Sequence, residues 1–164
     1  MAEIWDLVNS DGKKNGIKLN REERGKIPGG CYLPCAEVWI KVGESLLLTL
    51  RHPNKSEGLK LECPGGGVLS GEDFACGAIR ELYEETGISA AEGDLIYLGA
   101  ECHGDVYAVS YLLKLPRMPR LMLGESEVVG HRLVFAADLE EIKEELTVGT
   151  FRRYSLYKDK ICNI

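Results

Sequence analysis

Three glutamates crowd one short stretch of the chain, RELYEETG at residues 80–87. Glu81 lies three residues before Glu84 and four before Glu85, so on a helix all three carboxylates project from one face. Each like-charge pair at this spacing costs about 0.2–0.5 kcal/mol, and the partial negative charge of a helix C-terminus adds to that cost. A divalent cation such as Mg²⁺ would reverse the sign of the interaction. The stretch therefore predicts a metal site, against the alternative of a solvated acidic helix face.

The helix that must carry these carboxylates is predicted from its two ends and its apolar stripe. Ser70 and Asp73 form an S-x-x-D capping pattern that predicts a start near Gly71, and Gly87 is a usual C-terminal stop. We expect the glutamates to face outward, beside a stripe packed on a sheet. That stripe contains Phe74, Ala75, Ala78, Ile79 and Leu82.

A run of three glycines, residues 65–67, precedes the helix. Glycine adopts backbone angles closed to other residues and lets a neighbouring group approach the main chain closely. Carbonyls of this run could then point at the helix and join the carboxylates in an all-oxygen site, which suits a hard cation and leaves positions for water and phosphate oxygens.

Apolar runs of strand length lie before the helix. EIWDLVNSDGKKNGIKLN predicts a hairpin around a Ser-Asp-Gly turn. REERGKIPGG is interpreted as a linker, and CAEVWIKV with SLLLTLR predicts two adjacent strands.

The chain after the helix continues the pattern. DLIYLGAEC and DVYAVSYLLKL predict a second antiparallel pair, and HRLVFA a further strand. ADLEEIKEEL has helical periodicity, with Leu139, Ile142 and Leu146 on one side, and TFRRYSLYKDK predicts a final helix. Strands surrounding two or three helices predict an α/β fold with a central mixed sheet.

The length of 164 residues, 45% of them hydrophobic, predicts one domain over residues 1–164. Residues 1–30 would form the hairpin extension and linker, and residues 31–164 the catalytic core. The formal charge of −6 argues against a nucleic-acid polymer or an anionic membrane as partner. The chain has no apolar run of about 20 residues and an acidic, polar start, so we expect a cytoplasmic protein. Its six cysteines are then expected to be reduced, and their spacing argues against structural zinc.

The fixed residues around the glutamates resemble a complete Nudix box: Gly66, five residues, Glu72, seven residues, Arg80-Glu81-Leu82, one residue, Glu84-Glu85, one residue, Gly87-Ile88. This resemblance implies a Nudix-type α/β/α sandwich. It also implies cleavage of the diphosphate linkage in a small molecule in which a nucleoside diphosphate is joined to another group, with Mg²⁺ or Mn²⁺ as cofactor.

The resemblance also implies roles by position. Glu81, Glu84 and Glu85 match the metal-binding glutamates of the family, and Gly65 matches the residue whose backbone carbonyl binds metal. Glu72, Arg80 and Gly87 match positions that support the site. We expect Arg80, Glu81 and Glu84 to act in catalysis, because diphosphate hydrolysis needs its charge neutralised and a water activated.

A competing activity comes from the N-terminus. EIWDLVNSDGKKNG with IPGGCYLPCAEVWI resembles Nudix hydrolases related to isopentenyl-diphosphate isomerase, which suggests isomerisation of a prenyl diphosphate. The isomerase would need histidine ligands near the first core strand and a catalytic cysteine at the position of Gly65, whereas Cys63 lies two residues away. Hydrolysis is favoured. A non-catalytic nucleotide-binding module should lack at least one of the three glutamates, and all are present.

Further candidates lie outside the box. Glu127, or Glu125 two residues before it, could bind metal or activate water; the alternative for either is a solvated loop residue. Arg51 could bind a substrate phosphate or form an ion pair. Gly66 and Tyr32 are expected to contact substrate, whereas Trp39 and Tyr111 are expected in the core. The short hairpin could mediate a homodimer, since a two-stranded element gains stability by packing.

Overall fold

The computed structural model describes residues 3–164. Its central element is a mixed seven-stranded sheet. The strands are β3 (Leu33–Val42), β4 (Ser45–Arg51), β5 (Leu61–Glu62), β6 (Gly65–Gly67), β7 (Leu95–His103), β8 (Val106–Leu115) and β9 (Val128–Phe135). Strand β3 pairs in parallel with β8 and antiparallel with β4 and β6. Strand β4 also pairs with β5 and β9, and β7 pairs with β8 at the opposite edge.

Two helices cover the two faces of this sheet, α1 (Phe74–Thr86) and α2 (Val148–Asn163). Alternate residues of β3 point to opposite sides, as the pleat requires. Val38 packs in the cluster under α1, whereas Trp39 packs with Tyr154 of α2. The three layers confirm the predicted α/β/α sandwich with a mixed sheet.

The N-terminal hairpin is also confirmed, as a separate two-stranded antiparallel sheet of β1 (Ile4–Val8) and β2 (Lys14–Asn20). Four of its apolar side chains are buried within this chain, Trp5, Leu7, Val8 and Leu19, whereas Ile4 and Ile17 are exposed. The homodimer stays a prediction.

Asp6 ties this hairpin to the segment that leads into α1. Its carboxylate accepts hydrogen bonds from Ser70 Oγ (2.9 Å) and Gly71 N (3.1 Å) and forms ion pairs with Lys14 and Lys18. Burial would raise the pKa of Asp6, but the hydrogen bonds outweigh it and lower this pKa to about 2.

Two local predictions were wrong. The helix α1 begins later than expected, because Asp73 is the N-cap and accepts from Cys76 N (2.8 Å), while Ser70 is bound to Asp6. ADLEEIKEEL forms two 3₁₀ turns (Ala136–Asp138 and Lys143–Glu145), although Leu139 and Leu146 are buried as expected. The segment predicted as a linker contains a 3₁₀ helix, Arg21–Lys26.

Within residues 3–164, no helix is long and apolar enough to span a bilayer.

Candidate active site

A cleft of about 570 Å³ opens beside β6 and the C-terminal half of α1. All three box glutamates line it, together with the loop between β4 and β5 and the loop before β9. The sequence-predicted residues that the cleft brings together are Arg51, Gly65, Gly66, Glu81, Glu84, Glu85 and Glu127. Tyr32 and Glu125 are not among its lining residues.

Helix α1 ends where the sequence predicts, at Gly87, whose φ of 73° lies in the left-handed region. The loop before β9 is bound to this helix end: Met122 N donates to the carbonyl of Thr86 (2.8 Å) and Gly124 N to that of Glu85 (3.1 Å). The loop thereby satisfies helix carbonyls that would otherwise lack partners.

The glycine run forms β6 and pairs antiparallel with β3. A Cβ at Gly66 would lie 2.6 Å from the Glu81 carboxylate, and one at Gly65 would lie 2.5 Å from the Ala36 carbonyl oxygen. Gly65 is thus required by close approach of backbone, whereas a side chain at Gly66 would displace the Glu81 carboxylate from its position against the glycine backbone.

Arg80 organises the polar side of the site. Its guanidinium donates to both carboxylate oxygens of Glu72 (2.8 and 3.0 Å), to Glu81 Oε1 (2.7 Å), to Glu84 Oε2 (3.2 Å) and to the Gly67 carbonyl (2.8 Å). Glu72 in turn accepts from Leu69 N (2.9 Å). Burial would raise the pKa of Glu72, but these donors hold it below its usual value.

Glu85 corrects the expectation that the glutamates face outward. The residue is only 3% exposed, and its Oε2 has no hydrogen-bond partner. Burial raises the pKa of this carboxyl to about 8, with further contributions from the charges of Glu62 and Glu81. A carboxyl that is withdrawn from water and has one oxygen without a partner is typical of a functional site.

Glu81 and Glu84 differ from Glu85 and from each other. Glu81 is partly buried, and burial, assisted by the charge of Glu84, raises its pKa although Arg80 opposes the shift. Glu84 is the most exposed of the three, at 56% of its side chain. The outward direction that the sequence predicts therefore holds for Glu84 alone.

The donor set fits a hard divalent cation: carboxylate oxygens, one of them buried without a partner, beside a glycine backbone that leaves room for close approach. Within residues 3–164, however, no three His, Cys, Asp or Glu side chains are gathered closely enough to hold a cation as they stand. Arg80 holds Glu81 and Glu84 through one nitrogen, Nη1. A cation would have to compete with that guanidinium.

Glu127 lies in the loop before β9 and forms an ion pair with Lys55. Its backbone carbonyl accepts from His52 N (2.9 Å), so the two loops are joined by backbone as well as by side chains. Glu125 is exposed.

Arg51 lines the cleft but is committed to a carboxylate, since its Nη1 donates to both oxygens of Glu62 at 2.7 Å. Glu62 gave no sequence signal, because it lies in a two-residue strand with no motif. Lys55 and Trp5, which also line the cleft, were missed too. Lys55 is one charge in a polar loop, and Trp5 comes from the hairpin.

A smaller pocket of about 270 Å³ adjoins the cleft at Gly65 and Gly66. An ion pair between Arg153 and Glu37 (2.6 Å) lines it. Cys63 lies in its wall, 4% exposed, and burial raises the pKa of this thiol well above its ordinary value. Such a thiol is poorly suited to proton transfer or nucleophilic attack.

The family model of the NUDIX domain matches residues 34–154. The match covers the sheet, the glycine strand, α1 and the start of α2, and leaves the hairpin outside. This chain belongs to the Nudix family.

Two curated relatives are both named RNA pyrophosphohydrolase. The protein of Novosphingobium aromaticivorans is 32% identical over 72 residues, which is 44% of this chain and 45% of the relative. That of Roseobacter denitrificans is 32% identical over 79 residues, 48% of this chain and 46% of the relative. The chain thus spans about half the length of each curated relative.

Solved structures with the same fold include DR0079 of Deinococcus radiodurans, which superposes with a TM-score of 0.74 at 19% identity over 99% of this chain and 100% of that one. A MutT Nudix hydrolase from Burkholderia pseudomallei gives a TM-score of 0.62 at 21% identity, covering 73% and 93%. A bifunctional NMN adenylyltransferase/ADP ribose pyrophosphatase of Francisella tularensis, complexed with AMP and a Mn ion, gives 0.68 at 15% identity, covering 86% of this chain and 45% of that one. At these identities the likeness concerns the fold.

Proposed function

We propose that this protein is a metal-dependent Nudix pyrophosphohydrolase that cleaves the diphosphate linkage of a small molecule, with Mg²⁺ or Mn²⁺ as cofactor. The observation that carries the proposal is the Glu85 carboxylate, buried without a partner for Oε2 beside two further box glutamates in an open cleft. Ionised carboxylates that are buried and crowded in this way are unfavourable without a counter-charge, so the site favours the binding of a cation.

In this proposal Glu81, Glu84 and Glu85 hold the cation, together with the backbone carbonyl of Gly65. The bound cation would neutralise the diphosphate charge and lower the pKa of a water. Arg80, fixed by Glu72, keeps Glu81 and Glu84 on the cleft side of α1. Glu127, which also lines the cleft, is a further candidate ligand of the cation. The side chain that accepts the proton of the attacking water is Glu84 or, where it does not bind the cation, Glu127.

The substrate contacts are the finer part of the proposal. The Gly66 backbone would lie against the diphosphate. Because Arg51 is bound to Glu62, we expect it to shape the cleft wall and to reach a phosphate only through its remaining donors. Tyr32 lies outside the lining, so a substrate contact by Tyr32 requires a substrate that extends beyond the cleft.

A panel assay tests the proposal. Product release would be measured with Mg²⁺ or Mn²⁺ on ADP-ribose, sugar nucleotides, dinucleoside polyphosphates, nucleoside triphosphates, isopentenyl diphosphate and a 5′-triphosphorylated RNA. The wild type would be compared with Glu84→Gln, and Glu125→Gln would serve as a control on an exposed glutamate outside the cleft lining. We expect metal-dependent cleavage of a small diphosphate that Glu84→Gln loses and Glu125→Gln keeps.

Two results would redirect the proposal. Isomerisation of isopentenyl diphosphate without cleavage would favour the isomerase, which the buried Cys63 thiol argues against. Cleavage of the RNA alone would show that the activity named for the curated relatives extends to this chain. Metal-independent activity, or equal loss in both variants, would reject the role of the glutamate cluster.

A further inference from the structure

Lys55 holds a position in the cleft that the proposed function leaves without a role. It lies on the loop between β4 and β5 and forms an ion pair with Glu127 on the loop before β9. The hydrogen bond from His52 N to the Glu127 carbonyl fixes the two loops against each other. The ion pair is thus part of a built contact between the loops.

The ammonium also acts on the buried end of the site. Its charge opposes the rise in the pKa of Glu85, which burial and the neighbouring carboxylates produce. Lys55 therefore supplies positive charge to Glu127 and, at longer range, to Glu85. In electrostatic terms it does part of what a bound cation would do.

Four arginines also lie in or beside the cleft, and each has a partner that is not a candidate metal ligand. Arg51 is bound through two hydrogen bonds to Glu62, Arg21 pairs with Glu3 (2.8 Å) and Arg24 with Asp105 (4.0 Å). Arg80 contacts Glu81 and Glu84, but Glu72 and the Gly67 carbonyl also hold its guanidinium in place. Lys55 differs because, within residues 3–164, its ammonium pairs with Glu127 alone, and Glu127 is itself a candidate metal ligand. A cation bound to Glu127 would leave the ammonium without its counter-charge.

We propose that Lys55 is a positioning residue that exchanges partners: it holds the Glu127 carboxylate in the metal-free protein and moves to a substrate phosphate oxygen when a divalent cation binds Glu127. The inference rests on the proposed function. The lysine stem is flexible and its ammonium carries three donors, so it can change partners without a change in the loop backbone. No bond is made or broken in this step.

The substitution Lys55→Met keeps most of the side-chain stem and removes the charge. If the exchange occurs, this variant should bind Mn²⁺ more tightly but bind substrate more weakly. Without the competing ammonium, Mn²⁺ should bind about fivefold more tightly, which is the lower end of the coupling found between two linked binding events. Without the phosphate contact, KM should rise at least about tenfold while kcat changes less. Lys55→Arg should restore KM to within about threefold, because it keeps the positive charge.

Lys60→Met is the matched control, since Lys60 lies at the end of the same loop, donates to the Glu144 carbonyl and does not line the cleft. Mn²⁺ binding would be measured without substrate, by electron paramagnetic resonance of the free ion, and KM and kcat with the best substrate of the panel. Thermal unfolding would verify that each variant is folded.

The outcomes separate the two hypotheses. Tighter Mn²⁺ binding and a raised KM in Lys55→Met alone support the exchange. If the wild type binds Mn²⁺ and cleaves substrate but Lys55→Met behaves as Lys60→Met, or binds Mn²⁺ more weakly, the exchange is overturned and the proposed function stands. If the wild type neither binds Mn²⁺ nor cleaves any diphosphate, both fail.

Discussion

Asp6 and Glu85 are carboxylates largely withdrawn from solvent, and the fold treats them in opposite ways. Asp6 is surrounded by donors, a hydroxyl, a backbone N–H and two ammonium groups, and its pKa falls to about 2. Glu85 has an oxygen with no partner and its pKa rises to about 8. Burial alone therefore does not define the role of a carboxylate. Asp6, whose oxygens have several donors, joins the hairpin to the segment before α1, whereas Glu85, with one oxygen lacking a donor, is suited to bind a ligand.

Glu85→Gln should have the strongest effect, because it removes the carboxyl whose Oε2 has no partner. The amide is neutral at every pH and a weak metal ligand, so Mn²⁺ affinity and kcat/KM should each fall at least about 100-fold. The melting temperature of the metal-free protein should be unchanged at about pH 5 and higher at about pH 8, because the amide never carries the charge that burial disfavours. Calorimetric metal titration and thermal unfolding measure the two effects; retained metal binding would show that Glu85 is not a ligand.

The opposite pattern is expected at Asp6. Asp6→Ala leaves the Ser70 hydroxyl and the Gly71 N–H without their acceptor, which should cost about 1–3 kcal/mol of unfolding free energy. Metal affinity should stay within about twofold of wild type, since Asp6 does not line the cleft. Urea denaturation is the measurement, with Asp11→Ala as the exposed control. Equal stability of the two variants would contradict the structural role.

The pH dependence of stability should also distinguish Glu85 from Asp6, with a smaller effect than either substitution. Because the folded-state pKa of Glu85 is raised, the stability tied to its protonated form is complete below its unfolded pKa and is lost as the pH rises towards about 8. Glu62 and Glu81 face it with like charge and Lys55 with opposite charge. The metal-free melting temperature should therefore fall by a few degrees between about pH 5 and 8.

Two comparisons isolate the contribution of Glu85 to this pH dependence. Excess Mg²⁺ should reduce the fall, because a cation stabilises the ionised carboxylate. Glu85→Gln should also reduce it, by removing the titrating group. A fall of the same size in Glu85→Gln would assign the pH dependence to other groups.

Features that local sequence determines were predictable. The stop of α1 at Gly87, the hairpin and the paired strands all follow from turn residues and apolar runs. The start of α1 was not, because the Ser70 hydroxyl is bound by Asp6 from the distant hairpin, which leaves Asp73 as the cap. The segment after β9 was predicted as a helix from the spacing of Leu139, Ile142 and Leu146. Two successive 3₁₀ turns can bury side chains at the same spacing, so the periodicity did not distinguish the turns from an α-helix.

For the site, helical spacing places the three glutamates on one side of α1 but says nothing of depth. Glu85 is buried and Glu84 exposed because the sheet and neighbouring loops cover one and not the other. Lys55 and Glu62 join the cleft only through tertiary contacts across the loops.

The attachment of the loop before β9 to the end of α1 bears on how this protein could change over evolution. Met122 and Gly124 are bound to the last carbonyls of the helix, so the position of Glu127 is set from that point onward. The segment just before it, residues 116–120, is mostly exposed and carries no such anchor among the backbone hydrogen bonds of residues 3–164. Insertions there should be tolerated without shifting Glu127. Selection could thus lengthen or change this segment, and with it the surface beside the cleft, while the position of Glu127 relative to the glutamates of α1 is preserved.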